Sequence, residues 1–265
     1  MYKFIDTDNQ HLHTLKGEPL LGNTTVCGII AKVLTWWASG QAVQKFGWLD
    51  PKKNSAEEVE LALQKGYTNI KICGIEDYKK LLAEAYKAHS VKLDKSADDG
   101  TARHKELEGF IRNTMLCQES GMVDKTEYKD IQQFIDWSKE NVKKFLWSEI
   151  HGYSSLMWTG MIADAGWVDN QDRIIAGDFK SSPKAYFNNF IQIAGCDLML
   201  EENGGLTANG EKIFELEKPI QGYCTLPFGG KKFEPEFVYD VDAYRNGFKF
   251  ALGLYKLNQG FKTTK

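Results

Sequence analysis

Apolar positions recur at helical spacing through the first half of the chain and change to strand-like alternation in the second. After an extended, turn-rich opening over residues 1–22, Thr24 or Thr25 caps a predicted helix running to about Gly47. Ile29, Ile30, Val33, Leu34, Trp37 and Val43 fall on its apolar side. Ser55 caps a second, short helix to Lys65, with Glu57 and Glu58 in the first turn, where the helix dipole favours carboxylates. A third helical pattern covers Ile75 to about Met115, interrupted near Asp98-Asp99-Gly100, and a fourth spans Lys125 to Lys143. Trp36, Trp37 and Trp48 read as core residues rather than a base-stacking platform.

From residue 143 the character changes. VKKFLWSEIHGYSS is rich in aromatic and β-branched residues and predicts a strand around 143–151. TGMIADAGWVD predicts a second strand, ending in a turn at Asn170-Gln171-Asp172, and RIIAGDFK a third, buried one. Ser182 followed by Pro183 reads as an N-cap with proline at the first helical position. That helix carries Tyr186, Phe187, Phe190, Ile191 and Ala194. Two more strands, near Gln221–Leu226 and Phe233–Val238, are joined by Gly229-Gly230, and a last helix runs from Val241 to Leu257. The order predicts a mixed α/β fold in which antiparallel strands feed a central sheet flanked by helices. A mainly helical N-terminal region, 1–142, packs on a core, 143–265, in one structural unit.

Composition narrows the classes without choosing among them. The chain has 265 residues, 42% hydrophobic and 26% charged, which suits a soluble globular protein with an ample core. No apolar run approaches the roughly 20 residues of a membrane span. The N-terminal segment lacks the basic and apolar regions of a signal peptide, so a cytoplasmic setting is expected. The five cysteines are widely scattered with no CxxC pair, which argues for reduced thiols and against a disulfide framework, a zinc site or an iron–sulfur cluster. A net charge of -3 excludes a generally basic surface but not a local basic patch. Lys143-Lys144, Lys231-Lys232, Lys262 and Lys265 read as solvated charges.

The candidate chemistry lies between Glu149 and Gln192. Phosphodiester hydrolysis needs a divalent cation to neutralise transition-state charge and activate water. Two carboxylates and a carbonyl suffice as protein ligands for magnesium, and a nearby lysine can serve the water. Asp164 near the end of one strand, with Asp178 and Lys180 on one face of the next, supply such a set. The triplet alone carries little. Four acidic-x-Lys triplets occur (Asp50-Pro-Lys52, Asp77-Tyr-Lys79, Glu127-Tyr-Lys129 and Asp178-Phe-Lys180), and only the last follows an apolar strand-like run.

In that context GMIADAGWVDNQDRIIAGDFKSS resembles the signature of the PD-(D/E)XK nuclease superfamily, in its RecB-like exonuclease branch. The branch's pattern is a glycine, an apolar residue two positions on, then Asp, a hairpin, and Asp-x-Lys-Thr/Ser. Gly160, Asp164, Asp178, Lys180 and Ser181 occupy those positions. Upstream, Gly100-Thr101-Ala102-Arg103-His104 resembles a GTxxH motif and is followed by Glu108; downstream, Gln192 matches the glutamine of a QxxxY helix, although Cys196 stands where the tyrosine belongs. NTTVCGIIAKVLTWWASGQAV resembles the N-terminal helix of phage and mitochondrial exonucleases of this kind. The likeness covers most of residues 20–257.

The resemblance implies a restriction-endonuclease-like core and a Mg2+- or Mn2+-dependent deoxyribonuclease, an exonuclease in phage or bacterial DNA processing. Asp164, Asp178, the Phe179 carbonyl and His104 would hold the metal. Lys180 would serve the water, Gln192 would orient the lysine or substrate, and Glu149 would help a second metal. His151 and Tyr153 share the strand parity of Glu149, which places them along the cleft or equally in strand packing. The implied partners are DNA, as duplex ends or single strands, and a phage single-strand-binding or recombination protein. Two other classes stand beside it. A catalytically silent DNA-binding protein of the same fold would bind DNA without metal-dependent cleavage. A two-carboxylate glycoside hydrolase using Asp164 and Asp178 would leave Lys180 without a role.

Overall fold

The computed structural model describes residues 1–7, 10–30, 35–71, 73–116, 128–182, 184–228 and 233–263. Cys117, Lys125, Pro183, Gly229, Gly230, Lys231, Lys232 and Lys265 lie outside them, as do Val33 and Leu34 and the side chains of Trp36, Trp37 and Lys262. The chain forms two compact units, residues 1–31 with 100–265, and residues 32–99. The first 142 residues therefore contribute to both.

The smaller unit is helical: α2 (Thr35–Gln44), α3 (Ala56–Lys71) and the first part of α4 (Ile75–Leu116). Ser55 caps α3 reciprocally, its Oγ accepting the Glu58 N–H at 3.2 Å while Glu58 Oε2 accepts the Ser55 N–H at 2.8 Å. The helix runs a turn and a half beyond the predicted Lys65 because Gly66 is tolerated inside it. A Cβ at Gly66 would lie 2.3 Å from the Phe46 carbonyl oxygen, so glycine lets the end of α2 approach α3. Trp48 follows the Gly47 turn (φ 87°) and is 40% exposed, which corrects its expected place in a core. The expected interruption at Asp98-Asp99-Gly100 is also absent, since α4 is continuous. One interior glycine costs a helix only about 1 kcal/mol, and nothing here removes a backbone donor as proline would.

In the larger unit, β1 (Tyr2–Thr7), β2 (Gln10–Leu15) and β3 (Glu18–Pro19) make a small antiparallel sheet. β4 (Leu21–Gly22) leads into α1 (Asn23–Cys27) and a 3-10 turn, Gly28–Ile30, in place of the start of one long helix. After α5 (Lys129–Asn141) come β5 (Val142–Ser154), β6 (Thr159–Asp169) and β7 (Ile174–Lys180). They are followed by α6 (Phe187–Asn203), β8 (Gly205–Leu206), β9 (Lys212–Phe214), β10 (Gly222–Pro227), β11 (Glu236–Val238) and α7 (Val241–Thr263). The central sheet is mixed, in the order β11-β10-β7-β6-β5-β8-β9, with β4 pairing β6. β5, β6 and β7 form an antiparallel meander, and α6 crosses over to β10, parallel to β7.

Period-two alternation explains how one sheet serves two cores. Ile174 and Ala176 of β7 and Tyr223 of β10 pack with Ile191, Ala194 and Phe248 of α6 and α7. Ile175, Phe179, Cys224 and Leu226 pack on the other face with Leu107 and Ile111 of α4 and Phe134 of α5. α6 begins at Phe187, later than Ser182 and Pro183 suggested. Asn189 Oδ1 accepts the Tyr186 N–H at 2.8 Å and supplies the cap, while Ser182 Oγ donates to the Lys184 carbonyl in the preceding turn. Among the described residues no helix is long and apolar enough to cross a membrane.

α6 is anchored to its neighbours by a buried charge. Asp197, fully buried, accepts two bonds at 2.7 Å from the Arg245 guanidinium of α7 and one at 2.5 Å from the Tyr223 hydroxyl of β10. Removing the cation strands a carboxylate in the core. Arg245→Ala is therefore expected to lower unfolding free energy by about 3–5 kcal/mol, and Arg245→Met with Asp197→Leu to recover most of it. Denaturant titration of the three proteins checks this, and an Arg245→Ala loss under about 1 kcal/mol would show that the pair is not an anchor.

Candidate active site

Strand pairing along one edge of β6 leaves a gap. β7 pairs with β6 over residues 165–168, and β4 pairs with it at Thr159 and Gly160. Among the described residues no strand pairs with 161–164 on that edge. Where the β6–β7 ladder stops, the Asp164 side chain takes over, its Oδ2 accepting the Phe179 N–H at 2.8 Å. β7 meanwhile stays paired with β10 through Asp178↔Thr225, Phe179↔Leu226 and Lys180↔Pro227. The end of β7 is thus fixed on one side and open on the other.

Other groups converge on this opening. His104, on the part of α4 within the larger unit, has Nε2 3.1 Å from the Phe179 carbonyl oxygen and Nδ1 3.9 Å from Asp164 Oδ2. Glu149 of β5 joins them. Ligand atoms of His104, Glu149 and Asp164 all lie within 4.8 Å of one another, a group able to hold a metal ion. Glu149 has φ 47°, in the left-handed region, although its neighbours Ser148 and Ile150 pair regularly with Ala165 and Ala163. A non-glycine residue there costs on the order of 1 kcal/mol or more, so the strand carries local strain at the position that contributes a carboxylate.

The remaining catalytic candidates form a second cluster. Lys180 Nζ lies 2.6 Å from Asp178 Oδ2 and donates to Gln192 Oε1 at 3.1 Å, while Gln192 Nε2 reaches Asp178 Oδ1 at 3.5 Å. Burial is the main influence on Asp178 and pushes its carboxyl above the usual range. Lys180 pulls it back, and Asp164 adds to the rise. Burial disfavours the Lys180 ammonium, but Asp178 and Asp164 outweigh it and hold the lysine protonated above its ordinary range. Glu149 is likewise raised, by desolvation first and then by Asp164 and Glu108. Asp178 therefore stands beside the His104–Glu149–Asp164 group and is committed to Lys180.

Asn23 and Cys196 were not assigned to one network by the sequence. The buried Asn23 donates through Nδ2 to the Gln192 carbonyl at 2.8 Å and to Cys196 Sγ at 3.1 Å. The thiol that stands in place of the expected tyrosine is thus held by the start of α1, beside the turn that presents Gln192. Gly195 makes room, since a Cβ there would lie 2.4 Å from Asn23 Oδ1. Burial pushes the Cys27 thiol up to about 12 and raises Cys196 as well, so both stay protonated. Gly160 is likewise a close-approach glycine, with His13 against it.

Other candidates go elsewhere. His151 packs on Phe4, ring centroids 4.9 Å apart, and Tyr153 stacks on Tyr2 at 5.4 Å, so both pack against the N-terminal strands. Glu108 pairs with Arg112 at 2.7 Å, and Ser181 is exposed in the turn after β7. No protein-family model matches the chain, and no curated protein matches it.

Lys180 is the largest influence opposing the rise of Asp178. Lys180→Met is expected to raise the Asp178 carboxyl further, because desolvation then acts without its counter-ion. Carboxyl 13C NMR titration of the metal-free protein reads this directly. A downward or absent shift would contradict the pairing.

Proposed function

We propose that this chain is a divalent-metal-dependent DNA nuclease of the PD-(D/E)XK kind, acting as an exonuclease. The observation that carries the proposal is the meeting of Asp164, the Phe179 carbonyl, His104 and the Asp178–Lys180–Gln192 cluster where β6 and β7 part. The donors suit a hard divalent ion: carboxylates, a main-chain carbonyl and one imidazole, a set open to Mg2+ and to Mn2+. Asp164, Glu149, His104 and the Phe179 carbonyl would hold it, with Asp178 alongside. A bound ion supplies positive charge against the phosphorane-like transition state and acidifies water.

The protein's own groups have separable tasks. Lys180 is an ammonium fixed by Asp178 and Gln192, so it acts as a positioned charge toward a non-bridging phosphate oxygen, better than as a neutral base. Water adds to phosphorus and the bond to the 3′ oxygen breaks, leaving a 5′-phosphate and a 3′-hydroxyl that takes up a proton. Gln192 orients the lysine, and Asn23 holds the turn carrying Gln192. The reading accounts for Lys180, which a glycoside hydrolase would leave idle.

Purified protein with Mg2+ or Mn2+ is expected to release label from the end of linear duplex or single-stranded DNA and to spare covalently closed duplex. Lys180→Ala and Asp164→Ala are expected to slow cleavage by about a hundredfold or more. Wild-type protein that leaves every substrate intact would overturn the proposal. DNA binding without cleavage would favour the silent DNA-binding protein instead. Proton linkage gives a second check. Glu149 holds its proton above the ordinary carboxyl range and must release it to bind a cation. Mn2+ affinity, measured by calorimetry, is therefore expected to fall as pH drops into that raised range and to lose the Glu149 share of this dependence in Glu149→Gln.

A further inference from the structure

The gap along β6 opens into a cleft of about 350 Å3. Asp164 and Gln192 belong to the candidate active site. The other walls come from the N-terminal segment: Phe4, His11 and His13 of the β1–β2 hairpin, and Thr24 and Thr25 of α1. Nothing in the catalytic argument uses these residues.

The character of the walls limits the occupant. Among the described residues no lysine or arginine lines the cleft, and the carboxylate in its lining is Asp164. Burial, with a smaller contribution from His151, pulls the His13 imidazole down to about 4, so the ring is neutral, and its Nδ1 is hydrogen-bonded to the Tyr2 hydroxyl at 2.7 Å. Away from Asp164 and any ion it would hold, a phosphate among the N-terminal walls would meet no lysine or arginine of the described lining, which electrostatics does not favour. An uncharged flat group with a polar edge is suited instead. The His11 and Phe4 rings lie 19° from parallel with centroids 6.5 Å apart, and Thr24 and Thr25 are exposed beside Gly22. His11 is itself oriented by Asp6, Nδ1 to Oδ1 2.7 Å. The volume is at the lower end for a small-molecule site and suits a single nucleoside, not a duplex.

We infer that this cleft takes the sugar and base of the nucleotide adjoining the bond to be cut, with the base against the Phe4 and His11 rings. The inference rests on the nuclease reading above. It makes the hairpin a specificity device. The catalytic cluster handles the phosphodiester, while the N-terminal rings and threonines sense whether a base is present and which edge it offers. Base stacking on aromatic rings tolerates every base, so the rings set affinity and the hydroxyls set preference.

The test uses single-stranded oligonucleotides with one abasic residue moved through the positions around the cut, cleaved by the full chain with Mn2+. An abasic residue at the adjoining position is expected to lower wild-type kcat/KM roughly tenfold, the scale of losing one stacked base, with little effect elsewhere. His11→Ala, at a residue too exposed to threaten folding, is expected to slow cleavage of the intact oligonucleotide several-fold and to shrink the abasic penalty, because both changes remove the same contact. Phe4→Leu is expected to behave alike, and Thr25→Val to change the ranking of the four bases while keeping the abasic penalty. Cleavage indifferent to the abasic residue and to all three substitutions would overturn the subsite and leave the nuclease reading standing. No cleavage of any single-stranded oligonucleotide by wild type that still cuts linear duplex would overturn the subsite alone; no cleavage of either would overturn both.

Discussion

The acceptance of the Phe179 N–H by the Asp164 carboxylate is the interaction on which the site depends. Antiparallel strands satisfy their main-chain groups on each other, and a strand end that leaves its neighbour must find other partners. Here β7 leaves β6 after the Ala165↔Gly177 pair while remaining paired with β10. Asp164 satisfies the donor so released, and the Phe179 carbonyl next to it faces His104. The wedge is stable because one side chain replaces a rung of the ladder. The same side chain is then at hand with its charge, beside a carbonyl, inside a sheet that is otherwise fully packed.

Around that bond the charges fall into two groups whose electrostatics differ. Asp178 and Lys180 are buried and neutralise each other, with Gln192 bridging them. Glu149, Asp164 and His104 are only half-buried and carry excess negative charge near one point. Burial first, and then the nearby carboxylate of Asp164, raise the proton affinity of Glu149. A cation relieves that repulsion directly, whereas the Asp178–Lys180 pair already has its compensation. The division explains why a lysine sits among carboxylates without collapsing onto all of them. Its ammonium is engaged by one carboxylate and one amide, which fixes its direction.

Much of this was legible in the sequence, because it rests on short-range patterns. The strand run Ile174-Ile175-Ala176-Gly177 before Asp178, the hairpin back to Asp164 and the apolar face of the Val241 helix all follow from periodicity, and the element order yields the mixed α/β class. What escaped depends on the third dimension or on single backbone angles. Nothing in WSEIHG announces that Glu149 adopts φ 47°. The cap of α6 moved because Tyr186 and Asn189 compete with a Ser-Pro pair that reads well locally. Asn23 lies 169 residues from Gln192, beyond any periodic signal.

The N-terminal segment ties these points together. Leu21 and Gly22 occupy the same edge of β6 that β7 vacates, so β4 and β7 bracket the gap from its two ends. The residue after β4 is Asn23, which grips α6 at Gln192 and Cys196, and the hairpin before it supplies the rings of the adjoining cleft. One continuous stretch of about twenty-five residues therefore closes the gap, steadies the glutamine and lines the entrance. The candidate cluster on β6 and β7 alone would have an open flank. Because the element beside that flank also touches Gln192, the cleft and the placement of Lys180 share one structural support. Changes in the first two dozen residues should then register at Lys180 through Asn23 and Gln192.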